Sequence, residues 1–445
     1  MKKALVLAIS LINAGILVSQ YIHPYDPVSL PANLENMRTG QILDAVSKGF
    51  KVILPIGTLE GTDNDVPIGL YSIELQQTLD SLSLKNNAII APTIWYSPSG
   101  YLMGAPSDGN FDIPTDAFVK YLEEVINEFY NMGFKHVQVV IIHDLLGENS
   151  PLVKTCRFVH GNIFNDYWKE ETIGAGWWLN PEKDQFNKTS LEILSLKSEN
   201  PGLKNEFPSG RLEEMTPAEI RKAASHGLIC IVPVGVIECH GNQNPVGVDI
   251  ITVQESLFIV AAKIPVVIAP AISYGGTAYA VSGPELGTMN INGQTEYNYT
   301  LGIARGLLAM GFKHIIFCSM HQGGGSQSTG LALIAQEINR TMTQQYGYGW
   351  MSPRKNNEKL YSVVEYITYP SSVGDHAGKY ETSSMLYLRQ PYTKLDLLSP
   401  NDYPFCWQKD IESIKATYEL GKQLIDEVVD EWIKIIKERM VNTKK

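Results

Sequence analysis

Cysteine is scarce and odd in number: five residues in 445, with no CxxC pair, which leaves no room for a disulfide framework. Cys230 and Cys318 lie in apolar runs and read as buried thiols. Cys156 and Cys406 are then available to pair in an oxidising compartment. Basic residues are also in deficit, 36 against 47 acidic, for a net charge of -11. That excludes the broad basic surface a nucleic-acid binder needs. Neither the GK[ST] of a P-loop nor a GxGxxG turn occurs, so a nucleotide fold has no fingerprint here. A 44% hydrophobic and 19% charged composition excludes global disorder.

Only one stretch approaches a membrane segment. "MKKALVLAISLINAGILVSQ" opens with two lysines and continues as an apolar run from Ala4 to Ser19. The run is shorter than the roughly 20 residues of a spanning helix. Residues 1–19 are therefore expected to be a secretory signal, with Leu17 and Ser19 just ahead of the cut and the chain exported to the periplasm or medium. Leu17 is larger than the usual residue there, so an uncleaved anchor and a buried N-terminal helix are the alternatives.

What the sequence does hold is a repeat. "MRTGQILDAVSKGFKVILPIGTLEG" from Met37 returns as "MTPAEIRKAASHGLICIVPVGVIEC" from Met215. "APTIWYSPSGY" from Ala91 returns as "APAISYGGTAY" from Ala269, and "NMGFKHVQVVIIH" from Asn131 as "AMGFKHIIFCSMH" from Ala309. All three pairs are 178 residues apart. The chain reads as two homologous halves, residues 20–200 and 201–445, joined near the linker-like "SENPGLKNEFPSG" from Ser198 to Gly210.

Each half alternates helix and strand patterns. In the second, a helix is expected over Thr216–Ser225, strands over Leu228–Val234, Val266–Ala269 and His314–Ser319, and helices over Thr295–Met310 and Ser328–Gln345. "VPVGVIECHGNQNPVGVDI" from Val232 to Ile250 reads as a buried strand at each end. This order predicts an α/β class with mainly parallel sheets covered on both faces, and sites at the carboxyl ends of strands.

Chemistry-bearing side chains fall at those ends. Glu238 and His240 are two apart just after a strand, which puts them on one side of an extended chain, with Cys239 facing away as packing. Asp249 follows a loop closed by Pro245 and Gly247; His321 ends a strand; "DHAGKYETS" supplies His376 and Glu381. Imidazoles and carboxylates are the usual ligands of zinc, manganese and similar ions. A carboxylate bridging two ions about 3.5–4 Å apart lets them share and activate one water.

These motifs resemble those of the creatininase (creatinine amidohydrolase) family, which shows LPxGSxEQHGPHLPLGTD, a later GFxxxxxxNGHGGN and a last HAGxxETS. Here they stand as "VPVGVIECHGNQNPVGVD", "GFKHIIFCSMHQGGG" and "HAGKYETS". The resemblance covers most of residues 211–395. It implies two three-layer α/β/α domains, two divalent ions, zinc or manganese, and hydrolysis of a non-peptide C–N bond in a small, often cyclic, amide. It also implies assembly into oligomers, with the two halves packing as neighbouring subunits do. By resemblance Glu238, His240, Asp249, His321 and Glu381 fall on ligand positions, with Asp249 bridging, and His376 on the proton-transfer histidine. Tyr274, Ser319, Gln322, Gly323 and Gly324 fall around the substrate, where glycines let backbone N–H groups approach an oxyanion. Trp350, Tyr361 and Tyr366 either wall that pocket or pack in the core.

The sequence departs from the family at Gln243 (His in the family), at Ser319 (Asn in the family) and in "YGGTAYA", which lacks a Glu-His pair. The first half departs further. Glu60 matches Glu238, but Thr62 replaces His240 and Tyr71 replaces Asp249; His143 matches His321. Laying "KEETIGAGWWLNP" on "KYETSSMLYLRQP" pairs Glu171 with Glu381 and Asp166 with His376. Without the bridging carboxylate this half is expected to be metal-free and structural, or to line the mouth of the site. The rival readings are a catalytically inactive binding protein, a peptidase, and a phosphate or nucleotide binder using the helix after "HQGGGSQ".

Overall fold

The structure is a computed structural model. It describes residues 33–83, 87–101, 104–142, 151, 155, 178–179, 210–321, 330–338, 364–368, 374–398, 406 and 411–443. The expectations placed on residues 1–19, His143, Cys156, Asp166, Glu171, the 198–209 linker, Gln322, Gly323, Gly324, Trp350 and Tyr361 lie outside these residues.

Two four-stranded parallel sheets repeat one topology. In the first, β1 (Lys51–Ile56) lies between β2 (Ala88–Ile90) and β3 (Val137–Ile142), and β4 (Trp178–Leu179) extends the sheet beyond β3. In the second, β5 (Cys230–Val234), β6 (Val267–Ile268), β7 (Ile315–Ser319) and β8 (Val364–Thr368) take the same places. Parallel strands need crossovers, and helices supply them. The first half carries α1 (Thr39–Ser47), α2 (Leu70–Ser83) and α3 (Thr115–Asn131). The second carries α4 (Pro217–Ser225), α5 (Val248–Lys263), α6 (Gly293–Ala309), α7 (Lys379–Leu388) and the long α8 (Tyr418–Thr443). Residues 330–338 are also helical. No helix among the described residues is long and apolar enough to cross a membrane.

Local chemistry explains the boundaries. α4 starts at Thr216, whose hydroxyl accepts from Glu219 N while the Glu219 carboxylate accepts from Thr216 N, a capping box with Pro217 at the first helical position. α6 stops before Gly311, whose φ of 103° suits only glycine. The strand expected at the end of "VGVDI" is a correction: Val248 and Asp249 open helix α5. Twelve of its sixteen residues are buried, so its apolar run carries no helical period to distinguish it from a strand. The alignment of "KEETIGAGWWLNP" on α7 is a second correction. Trp178 pairs with Ile141, the place Thr368 takes against Ser319, so the true offset there is 190. Glu171 and Asp166 therefore precede a strand in the first half, whereas Glu381 and His376 follow one in the second.

The halves meet through contacts that recur in both directions at the 178-residue offset. Ile68 N donates to Met215 O and Val246 N to Met37 O; Gly69 N donates to Glu213 O and Gly247 N to Glu35 O. The Tyr96 hydroxyl donates to Pro270 O at 2.7 Å and the Tyr274 hydroxyl to Pro92 O at 2.6 Å. Tyr121 donates to Tyr274 O and Tyr299 to Tyr96 O, and the Tyr121 and Tyr299 rings stack at 3.8 Å and 9°. Such reciprocity is the signature of an isologous, two-fold interface, here within one chain. Gly69 and Gly247 are required for it: a Cβ on either would lie 2.5–2.6 Å from Glu213 or Glu35.

This interface reaches the second half's chemistry. Met37 O and Glu35 O hold the turn that launches α5, and the Thr39 hydroxyl lies 3.0 Å from Cys239 Sγ. On the far side, α8 covers α5 and α7 through Leu424, Ile425, Val428 and Trp432. Glu365 on β8 fixes α8, accepting from Arg439 Nε at 2.9 Å and facing His314 Nε2 at 3.1 Å.

Two predictions follow from these contacts. Tyr96→Phe and Tyr274→Phe are each expected to lower stability by about 1–2 kcal/mol, since each strands a buried carbonyl. Denaturant midpoints that leave either variant equal to the parent would refute the interface's reciprocity. For Glu365, burial would raise the carboxyl pKa, but His314 and Arg439 outweigh it and hold it below the usual value. A depressed carboxylate stabilises the fold above the unfolded glutamate value of about 4.3 and stops doing so as pH falls through its own lower value. Arg439→Gln is therefore expected to cost about 1 kcal/mol at pH 7, with the difference shrinking below about pH 4 in paired thermal melts.

Candidate metal centre

The donor side chains come from four separate segments at the carboxyl ends of β5, β7 and β8. Glu238 and His240 sit on the loop after β5, which is closed by the bond from Glu238 N to Val246 O. Asp249 is in the first turn of α5, where the helix N-terminus favours a carboxylate. His321 lies two residues past β7, its backbone N–H donating to the Ser319 hydroxyl at 3.2 Å. Glu381 lies in the first turn of α7, and His376 just ahead of it.

They converge. His321 Nδ1 lies 3.3 Å from Asp249 Oδ2 and 3.4 Å from Glu238 Oε2. His240 Nε2 lies 3.5 Å from Glu381 Oε2 and 3.8 Å from Asp249 Oδ2. His376 Nδ1 lies 3.9 Å from Glu238 Oε2, and its ring is 4.5 Å from that of His240. Asp249 thus faces two imidazoles. Glu238 belongs to both compact trios, one with His240 and His376 and one with Asp249 and His321. Both trios lie in the second half, and they are the groups of this kind among the described residues.

Hydrogen bonds settle two tautomers. His240 Nδ1 lies 3.0 Å from Glu238 O, and a carbonyl only accepts, so Nδ1 carries the proton and Nε2 offers its lone pair to the cluster. His376 Nε2 lies 3.0 Å from Cys406 O, so there Nε2 is protonated and Nδ1 bears the lone pair. His376 and Ala377 hold φ of 28° and 55°, a left-handed conformation that costs energy in residues with a Cβ. Their neighbours enforce it. The Gln243 amide donates to Ala377 O and to the Thr382 hydroxyl, Glu381 Oε2 accepts from Ala377 N at 2.6 Å, and the Asp375 carboxylate caps Tyr380 N and Glu381 N.

A divalent ion fits this set. Glu238 Oε1, His240 Nε2, Asp249 Oδ2 and His321 Nε2 are buried without a hydrogen-bond partner. Orphaned buried acceptors and anions are expensive unless a cation satisfies them. Ligands at 2.0–2.2 Å from one ion lie about 3–3.5 Å from each other, near the spacings seen. The electrostatics agree. Burial pulls the pKa of His321 down, but Asp249 and Glu238 outweigh it and raise it well above normal. Burial likewise opposes the raised pKa of His240, which Asp249, Glu381 and Glu238 produce. Asp249 is pushed up by burial and pulled further down by His321 and His240. His376 differs: burial first, then His240, lowers its pKa and keeps it neutral. A cavity of about 20 Å³ borders Asp249 and Glu381, room for about one water.

Some expectations are redirected. Tyr274 is buried with its hydroxyl committed to Pro92 O in the other half, and Ser319 holds the backbone of His321. Tyr366 lies on β8, half-buried against the core. Cys239 does not simply pack, and Cys406 does not pair with Cys156: Cys239 and Cys406 form a disulfide with Cα atoms 5.7 Å apart. Cys230 and Cys318 are free and buried. Sequence reasoning missed Asp375 and the bridging role of Gln243. The Asp375 cap had a signal, an Asp a few residues ahead of a helical start; Gln243 had none.

The chain is similar to several known proteins. The family model described as creatinine amidohydrolase (Creatininase) matches residues 35–191 and 213–436. A 3-dehydro-scyllo-inosose hydrolase of Thermotoga maritima is 28% identical over 102 residues, 23% of this chain. The chain spans about a third of that relative, 32% of its length. A crystal structure of creatinine amidohydrolase (creatininase) is 20% identical, with a TM-score of 0.41 over 52% of this chain and 98% of its own. A manganese form of creatininase is 21% identical, with a TM-score of 0.41 over 52% and 99%. With a family model that spans most of the chain in two segments, this protein belongs to the creatininase family.

Proposed function

We propose that the chain is a metal-dependent hydrolase that splits a non-peptide C–N bond in a cyclic amide or related small amide. One observation carries this reading: Glu238 with His240 and His376, and Glu238 with Asp249 and His321, bring ligand atoms within 4.8 Å of one another, and Glu238, His240, Asp249 and His321 each keep a buried polar atom without a hydrogen-bond partner. Glu238, His240, Asp249, His321 and Glu381 would hold two divalent ions, zinc or manganese. Bound ions of this kind polarise a carbonyl and lower the pKa of water.

The chain's own groups do the rest. Asp249 and Glu238 orient His321 and His240, and the Glu238 carbonyl fixes the His240 tautomer. His376 presents a neutral Nδ1 on the Glu238 side. From there it takes a proton from the attacking water and returns one to the leaving nitrogen. Backbone N–H groups of Gln322, Gly323 and Gly324 are assigned to the developing oxyanion on the sequence alone.

The partition follows the donor set. Residues 201–445 hold the site, and residues 20–200 serve as its structural partner, descended from a duplicated copy that lost its donors. Residues 1–19 direct export, a reading that a disulfide supports, since such bonds persist in oxidising compartments. The product of this arrangement is a small-molecule enzyme that meets its substrate outside the cytoplasm.

Elemental mass spectrometry of the purified protein tests the metal assignment directly. About two equivalents of divalent metal are expected in the parent, falling to fewer than one in Asp249→Asn. Parent protein that stays near zero after reconstitution with zinc and manganese would sink the hydrolase reading in favour of an inactive binding protein. Once a substrate is found among cyclic amides, ureas and formamides, His376→Gln is expected to lower kcat about 10²–10⁴-fold with metal content unchanged.

A further inference from the structure

We propose that the Cys239–Cys406 disulfide positions His376, so that the thiol–disulfide state of this pair sets the activity of the site. Three observations meet here. Cys239 stands between the two donors Glu238 and His240, so one sulfur is fixed to the ligand loop. Cys406 is 167 residues away, and its carbonyl oxygen is the partner of His376 Nε2 at 3.0 Å. That same carbonyl is what leaves Nδ1 unprotonated and turned to Glu238. The chain path is short and covalent: donor loop, Cys239, Cys406, then the acceptor that orients the imidazole.

The backbone needs such a restraint. Cys406 has φ of 50° and His376 φ of 28°, both left-handed and both unfavourable for side chains with a Cβ. Conformations of this kind persist where the surroundings over-determine them. Ala377 has Gln243 and Glu381 for that purpose. The Thr39 hydroxyl, 3.0 Å from Cys239 Sγ, steadies the other end from the first half. Both sulfurs are buried, which shields the bond from casual exchange.

The chemistry balances. Formation is thiol–disulfide exchange with an oxidised dithiol partner, in which the S–S bond of the partner breaks, the Cys239–Cys406 bond forms and the partner leaves as a dithiol. Reversal by a phosphine breaks the S–S bond, oxidises phosphorus to the phosphine oxide with the oxygen of one water, and leaves a proton on each thiol.

The inference rests on the proton-transfer role given to His376 above, and its test has a readout that does not. The metal-loaded full chain is labelled with ¹⁵N histidine, and the ring signals of His376 are assigned by their loss in His376→Gln. They are followed with and without a phosphine reductant, the thiols being counted by mass spectrometry. The oxidised protein is expected to show one tautomer with the proton on Nε2, and the reduced protein to show exchange between tautomers. Cys406→Ser and Cys239→Ser are each expected to match reduced parent, with kcat lowered at least 10-fold, KM and metal content unchanged and the double variant no worse than either single one. If reductant does not reach the buried bond, the two variants decide. Ring signals and kcat that match the oxidised parent after loss of the bond would overturn the positioning role. Signals that shift in a protein with no turnover would uphold it and count against the hydrolase reading.

Discussion

Three carboxylates and three imidazoles are gathered at the ends of a buried parallel sheet, and the rest of the second half is arranged around that fact. Glu238 and Asp249 are almost fully buried. Taken out of water unpaired, such anions cost several kcal/mol each. The surrounding imidazoles absorb part of that charge, which is why His240 and His321 have raised affinity for protons and Asp249 a lowered one. His376 stands beside them with its proton affinity lowered, first by burial and then by His240. The cluster therefore separates groups that share positive charge from one group that is left free to carry a proton.

Rigid placement comes from elements that do not themselves touch the cluster. The turn ahead of α5 hangs on backbone carbonyls of the first half, and α8 presses α5 and α7 together from the other face. Gln243 and Asn244 reach Thr382, tying the donor loop to the start of α7. The first half has Thr62 and Tyr71 in place of two candidate donors, yet it keeps the reciprocal backbone contacts of Glu35, Met37, Ile68 and Gly69 across the interface. Its surface has been retained where its chemistry has not.

β5, β7 and α4 were legible, within two residues, because short apolar runs bounded by glycine or capping residues leave few alternatives; β8, α7 and α8 were not read from the sequence. The gathering of Glu238, His240, Asp249, His321, His376 and Glu381 was legible from spacing and resemblance together. α5 was not, because a helix buried on most sides reads as a strand when only its first residues are weighed. The pairing of Cys239 with Cys406 was not, since two residues 167 apart are brought together only by the complete fold. The β4 register was hidden by a chance likeness between a strand segment and a helix, which local residue matching cannot resolve. Gln243 looked like a lost histidine, but its amide has taken up two acceptors of its own.

The stacked Tyr121 and Tyr299 rings lie where two copies of one surface meet within a single polypeptide. Between separate subunits such a contact would weaken on dilution, because its stability would depend on protomer concentration. Here covalent linkage fixes a high effective concentration of one half around the other. The support that Glu35, Met37 and Thr39 lend to the donor loop is thereby uncoupled from how much of the protein is present.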